Sequence, residues 1–338
     1  MIALNMRSFV LGAGASRHAG FPLASQLGPA LWNWVHHNRP PEHSYRIHVG
    51  QLQDIYGGLG DIEMILTDLD ECRPGSRAAS LERPIRGFLL GDLRLSIREF
   101  FQDLQTHEAA LYRRLAREQV KPGDAVVTFN YDVACERQLK EAGRWEISDG
   151  YGFSLGLESV PPSDVKVFKL HGSTNWWGLF FRGAMGFGQA SDLLGPRPTI
   201  FFRCDFDFLG YREDVCDPEC SGIRRSGGIP AIVMPTSHKR FFEQTSFGRE
   251  WEPFWESLWH QASQALQSSD EIILVGYSMR AIDLRARELL LEHGNHHARI
   301  MVYFGEDSAT ICETFRARGF SCVESHGGGL FEDFIGAD

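Results

Sequence analysis

The sequence predicts an α/β fold: a Rossmann-like parallel sheet with a helical insertion and a second small loop-rich insertion. Three observations point there. Short apolar, β-rich runs end in polar or glycine signals at Ser8–Leu11 before GAGAS, Ala125–Thr128 before FNYD and Glu271–Val275 before GYS. These runs are apolar throughout rather than alternating, as strands covered on both faces are. Helical patterns separate them, and strands alternating with helices imply a parallel sheet.

The chain has 338 residues and is 43% hydrophobic, enough to bury a sizeable core in one large domain with insertions or in two domains. The reading is a single domain spanning 1–338. Its core takes in about 1–35, 120–175 and 230–338, with a helical insertion over about 36–119 and a small irregular module over about 176–230. The formal net charge of −10 argues against global attraction to nucleic acid or an anionic membrane, and no direct nucleic-acid binding is expected. Seven cysteines without regular spacing point to a reducing compartment rather than a disulfide framework. No apolar run approaches the roughly 20 residues of a membrane span. The start, MIALNMRSFVLGAGAS, imitates a signal peptide, but it lacks a basic leader and reads better as a first buried strand. A cytoplasmic protein is expected.

Two further strands are expected at Val165–Leu170 before HGS and at Arg299–Phe304, and helices over Ala24–His36, Leu93–Gln119, Val133–Ala142, Trp251–Ser268 and Asp283–His293. In a parallel sheet, ligands bind beyond the C-terminal strand ends. The segments GAGAS, FNYD, HGS and GYS each follow a predicted strand, so the fold brings them to one edge.

Each segment has a plain reading and a chemical one. In GAGAS, Gly12 and Gly14 permit close backbone approach, and the following N–H groups can face an anion; the same glycines suit a bare strand–helix turn. In TFNYD, Asn130 offers an amide that accepts and donates, while Asp132 is either a helix cap or an anion beside a site. His171 follows a strand directly and precedes Gly172, where a histidine can serve as a base near neutral pH. Trp176 and Trp177 read as core rather than as a stacking platform. In GYSMRAID, Gly276 allows close approach, Ser278 supplies a hydroxyl, and Asp283 sits at a helix start where its charge suits the dipole. The histidine groups at His36, His37, His43 and His48, and at His293, His296 and His297, read as solvated surface.

Taken in order, these motifs resemble the Sir2 superfamily, and its bacterial SIR2-like branch more than the protein-deacetylating sirtuins. The order is GAGAS with a following Gly20-x-Pro22, then Thr128-x-Asn130-x-Asp132, then KLHGSTNW, then a Pro-Thr-x-x-Lys segment at Pro235–Lys239, then GYS with Asp283. The match covers about half the chain. The resemblance implies a Rossmann-like NAD+ site with Asn130 and His171 as the catalytic pair and Asp132 beside them. It places Gly12, Ala13, Gly14, Ala15, Ser16, Gly20, Pro22, Thr128, Gly276, Ser278 and Asp283 around the dinucleotide. Departures set the chain apart from deacetylases. Phe129 stands where those enzymes carry Gln, and Leu-Ala-Ser follows Gly20-Phe21-Pro22 where they carry Asp-Phe-Arg. Cys204, Cys216 and Cys220 do not make paired CxxC motifs, so no metal is expected. Phe304-Gly305-Glu306-Asp307 stands where relatives often show Asn before Pro-Asp.

The implied activity is NAD+ glycohydrolysis to nicotinamide and ADP-ribose, with NAD+ as substrate, by an effector that depletes NAD+ in anti-phage defence. Two alternatives stay open: an NAD-dependent deacylase or ADP-ribosyltransferase, and a non-catalytic module that binds NAD+ or ADP-ribose. The resemblance also implies a homo-oligomer and a separate activating partner, such as a HerA-like ATPase or a short Argonaute.

Overall fold

A computed structural model of the chain describes residues 5–105, 108–147, 149–153, 162–178, 200–202, 229–234, 248–281, 283–326 and 331–336. Among the described residues, nine strands run β1 Arg7–Leu11, β2 Ala125–Thr128, β3 Lys166–Lys169, β4 Gly172–Gly178, β5 Ile200–Phe202, β6 Ile229–Ile232, β7 Glu271–Val275, β8 Arg299–Tyr303 and β9 Cys322–Ser325. The helices among the described residues are α1 Leu27–Asn38, α2 Ser44–Tyr56, α3 Ile62–Glu71, α4 Arg83–Leu104, α5 Ala110–Arg114, α6 Ala134–Glu141, α7 Gly248–Ser268, α8 Leu284–Leu291, α9 Ser308–Ala317 and α10 Phe331–Ile335.

Six strands form one parallel sheet in the order β3-β2-β1-β7-β8-β9. Numbered along the chain within that sheet, this is 3-2-1-4-5-6, the Rossmann arrangement. Its strands are apolar because both faces are covered. Phe9, Val10 and Leu11, Val126 and Val127, and Ile272 to Val275 are each at most 1% exposed. The order reverses between β1 and β7, which leaves a crevice beyond their C-terminal ends.

The predicted strands Ala125–Thr128 and Glu271–Val275 match the observed bounds. β9 was not foreseen: only Val323 of its four residues is buried, so its apolar signal is weak. The stretch predicted as one helix over Leu93–Gln119 is α4, which starts ten residues earlier at Arg83 with Pro84 in its first turn, then α5 and a π turn over Leu115–Gln119. Trp176 is fully buried, as its core reading required. Of the module expected to be irregular, the described parts are strands: β5, β4 and β6 make a small antiparallel sheet. Pro235–Lys239 and the three cysteines Cys204, Cys216 and Cys220 lie outside the described residues.

Helices α1 to α4 pack on one another, and α4 also packs on β4 and β6 of the small sheet. α3 is held at its start by Asp61, whose Oδ1 accepts from the Met64 N–H at 3.0 Å. Its apolar stripe of Ile62, Ile65, Leu66 and Leu69 is buried. No helix among the described residues is long and apolar enough to cross a membrane.

Two loops interlock at the sheet edge. The Gly12 N–H donates to the Val275 carbonyl and the Gly14 N–H to the Gly276 carbonyl, each at 3.0 Å. A Cβ on Gly276 would fall 2.2 Å from the Ala15 nitrogen, and Gly276 has φ +62°. Gly305 has a similar φ of +76° but open space around it. Gly305→Ala is therefore expected to cost about 1 kcal/mol from the left-handed backbone alone. Gly276→Ala should cost about 2–4 kcal/mol, because the loops must also separate. Urea unfolding of the two variants measures the difference, and equal midpoints would refute the interlock.

Candidate functional site

The crevice holds a cavity of about 540 Å3, within the range of small-molecule sites. Most sequence-predicted residues line it: Gly12, Ala13, Gly14, Ser16, Pro22, Asn130, Asp132, His171, Gly276, Ser278 and Asp283. Four segments remote in sequence thus meet there. Ala15, Gly20 and Thr128 do not line it. Ala15 is buried, with its N–H closing a turn on the Gly12 carbonyl at 3.0 Å. Gly20, at φ +85°, ends the 3-10 turn Ala13–Ala19 and redirects the chain toward Phe21 and Pro22. Thr128 works from behind: its hydroxyl donates to the Leu11 carbonyl and accepts from the Asn130 N–H, both at 3.1 Å.

Ser16 is the centre of the polar site. Its hydroxyl lies 2.7 Å from Asp132 Oδ2, 3.0 Å from Asn130 Nδ2 and 2.8 Å from the Tyr112 hydroxyl. A hydroxyl has one proton and two lone pairs. The carboxylate takes the proton, so Asn130 and Tyr112 both donate to Ser16. Tyr112 is buried, and burial pushes its phenol well above the ordinary range, which keeps that proton in place.

Asn130 Nδ2 also donates to the Gly12 carbonyl at 2.9 Å. Both amide hydrogens thus serve the protein, and the Gly12 carbonyl fixes the orientation of the amide, because a flipped amide would set two oxygens together. The carbonyl oxygen is what Asn130 can offer a ligand, so its ligand must be a donor such as water or a hydroxyl. The other Asp132 oxygen accepts from the Ala134 N–H at 3.0 Å. Val133 occupies the cap position of α6, so Asp132 is at once a local cap and a member of the site.

Beneath this loop lies a buried ion pair. Lys169 Nζ sits 2.8 Å from Glu136, with side-chain exposures of 0% and 1%, and it also donates to the Asp132 carbonyl. The Tyr151 hydroxyl donates to Glu136 at 3.3 Å and accepts from Asn175 Nδ2 at 3.1 Å. Burial pushes the Glu136 carboxyl up, and Lys169 pulls it back.

His171 is 6% exposed, in the turn between β3 and β4. Its carbonyl accepts from the Val233 N–H at 2.8 Å, and its ring lies 5.1 Å from Phe129. Phe129 in turn stacks on Tyr277 at 4.6 Å, so an aromatic wall backs the histidine. Asp283, at the cap position of α8, makes no capping bond; its Oδ2 accepts from the Tyr277 hydroxyl at 3.4 Å. Met279 holds a positive φ of 46° in the same loop.

Sequence reasoning missed the wall that the helical insertion supplies. Gly60, Asp61, Glu63 and Phe101 line the cavity, and Glu63 pairs with Arg280 from the β7–α8 loop. It also missed Tyr112. No motif marks these residues, since they act through tertiary packing. Among the described residues no group of three or more His, Cys, Asp or Glu is placed to hold a metal ion.

No protein-family model and no curated protein sequence matches the chain. Among solved structures, it is similar to one described under the structural basis for the mechanism and regulation of Sir2 enzymes. Identity is 14% over 98% of this chain and 90% of that chain, with a TM-score of 0.42. It is also similar to Sir2Tm bound to a propionylated peptide, at 13% identity over 98% and 90% of the two chains, with a TM-score of 0.38. Likeness at this level carries no argument about chemistry, which rests on the residues themselves.

Two outcomes follow. Lys169→Met leaves Glu136 buried without its cation and should cost about 3–5 kcal/mol in chemical denaturation, much of it restored by adding Glu136→Leu. His18, whose Nδ1 lies 2.8 Å from the Ala15 carbonyl, has its pKa lowered below 6.5 by burial. The unfolded chain therefore binds this proton more readily than the folded one. Stability from this group is full above about pH 6.5 and is lost as pH falls through its folded pKa. The Tm advantage of wild type over His18→Gln should shrink between pH 7.5 and 5.5; a constant gap would exclude this role.

Proposed function

We propose that the chain hydrolyses the N-glycosidic bond of NAD+, releasing nicotinamide and ADP-ribose. The observation that carries this reading is Asn130. Its amide hydrogens are held by Gly12 and Ser16, which leaves its carbonyl oxygen to a ligand, and the residue lines a cavity shared with His171 at the switch point of a Rossmann sheet. Hydride transfer gives no reason for an asparagine fixed in this way. Attack by water does.

The C1′–N bond breaks with its electron pair leaving on nicotinamide, which departs neutral from a cationic ring and needs no general acid. Asn130 accepts one hydrogen of a water and so aims an oxygen lone pair at C1′. The new C1′–O bond forms as His171 takes the water's proton, directly or through a ribose hydroxyl. Asp132 holds Ser16, and through it Asn130, and adds negative charge near a developing oxocarbenium-like cation. The motif resemblance supports an NAD+-depleting defence effector that works as an oligomer or with an activating partner in the cytoplasm; that setting belongs to the same proposal.

The test follows nicotinamide and ADP-ribose release from NAD+ by the protein in its native assembly. Asn130→Ala and His171→Ala are each expected to lower kcat at least about a hundredfold. Turnover that persists in both variants would sink the assignment. Acyl-ADP-ribose from an acylated peptide, or ADP-ribose covalently attached to protein, would assign a transferase instead. Binding without nicotinamide release in the activated assembly would assign a binding module.

A further inference from the structure

A dinucleotide carries a diphosphate, and the cavity is poorly disposed toward one by charge. Four carboxylates line it, from Asp61, Glu63, Asp132 and Asp283, and Arg280 is the one lysine or arginine among the described lining residues. The Gly12 N–H bonds to Val275 at the end of β7, the Gly14 N–H to Gly276 in the loop after it, and the Ala15 N–H to the Gly12 carbonyl, so these three donors of the glycine loop are already engaged. Against four carboxylates, an anionic ligand here gains most from a side-chain cation.

Arg280 stands in that β7–α8 loop, two residues after Ser278 and at the reversal point of the sheet. Its side chain is 47% exposed, while its partner Glu63 is 8% exposed. A half-exposed guanidinium can turn toward a ligand at little desolvation cost, and its fork of donors matches phosphate oxygens two at a time. Glu63 belongs to α3, the insertion helix that walls the cavity. The pair thus clips the insertion to the loop that receives the ligand.

We propose, resting on the NAD+ reading above, that Arg280 binds the diphosphate of the dinucleotide and that Glu63 is the partner it gives up to do so. Glu63 then competes with the ligand for one guanidinium. Dinucleotide affinity is set by that exchange, and binding loosens the clip between the helical insertion and the Rossmann edge.

Calorimetry with ADP-ribose, which keeps the diphosphate and cannot be turned over to nicotinamide, tests this. Arg280→Ala should weaken ADP-ribose binding roughly ten- to a hundredfold, the loss of a charge-assisted hydrogen-bond pair. Arg280→Lys should recover part of it, since the charge remains and the fork does not. Glu63→Gln should tighten binding several-fold by removing the competitor. In turnover, Arg280→Ala should raise KM for NAD+ far more than it lowers kcat. Unchanged ADP-ribose affinity in Arg280→Ala overturns the assignment of Arg280. Unchanged or weaker affinity in Glu63→Gln overturns the exchange. Wild-type protein that binds neither ADP-ribose nor NAD+ defeats the dinucleotide reading itself, and this inference with it.

Discussion

One hydroxyl organises the site. Ser16 donates to Asp132 and accepts from both Asn130 and Tyr112, which exhausts its hydrogen-bonding capacity. Those partners come from the turn after β2 and from α5, so the hydroxyl ties two remote segments to the β1 loop. Each bond decides another. Because Asp132 takes the serine proton, Asn130 must present its NH2 to Ser16. Because Asn130 does so, its carbonyl oxygen is left for a ligand. Tyr112 completes the set from a fully buried position, where its phenol stays protonated. Inside a low-dielectric core such a chain is firm when its members are satisfied, and the protein itself satisfies Ser16 and both amide hydrogens of Asn130.

The loop bearing Asn130 and Asp132 needs support from below as well. Lys169 provides it with a charge buried under the site, bonded to the Asp132 carbonyl and to Glu136. A buried ion pair contributes little net stability compared with apolar packing, and removing one partner is costly. Its value here is positional. A lysine donor reaching a main-chain carbonyl fixes the height of the turn relative to β3, and β3 delivers His171 two residues later. The relative placement of Asn130 and His171 thus passes through Lys169, although that side chain never reaches the cavity.

Much of this was legible in the sequence. The apolar runs ending in GAGAS, FNYD, HGS and GYS mark four of the six parallel strands and the run Arg299–Phe304 a fifth, and strand-end logic alone brings Asn130, Asp132, His171 and Ser278 to one crevice. Legibility failed where a residue's duty depends on what packs against it. Gly12 and Gly14 read as phosphate-loop glycines; their N–H groups bond to the end of β7 and to Gly276, and the space around them is taken up by Gly276 and Tyr277. Thr128 and Ala15 read as ligand contacts but support the loops from within the protein. Glu63, Asp61 and Tyr112 carry no motif because helical periodicity marks only their buried face, not what that face meets. β9 escaped because an edge strand with one buried residue has no apolar run to notice.

The charge of the cavity separates two uses of a Rossmann crevice. Carrying a hydride asks only that a dinucleotide be held in register beside a second substrate, and negative charge around its diphosphate is a disadvantage without return. Breaking the bond to a cationic nicotinamide ring creates positive character at C1′, and carboxylates fixed in place before the reaction stabilise it without reorganising. Asp132 is fixed in that sense, with one oxygen on Ser16 and the other on the Ala134 N–H. Under the proposed function, the same acidity repels the diphosphate of NAD+. On that proposal, the site needs a compensating cation that is reachable from solvent and held in place. Arg280, half exposed and clipped to Glu63, meets each of those demands. Its counter-ion Glu63 belongs to α3, one of the elements beside the sheet that line the cavity.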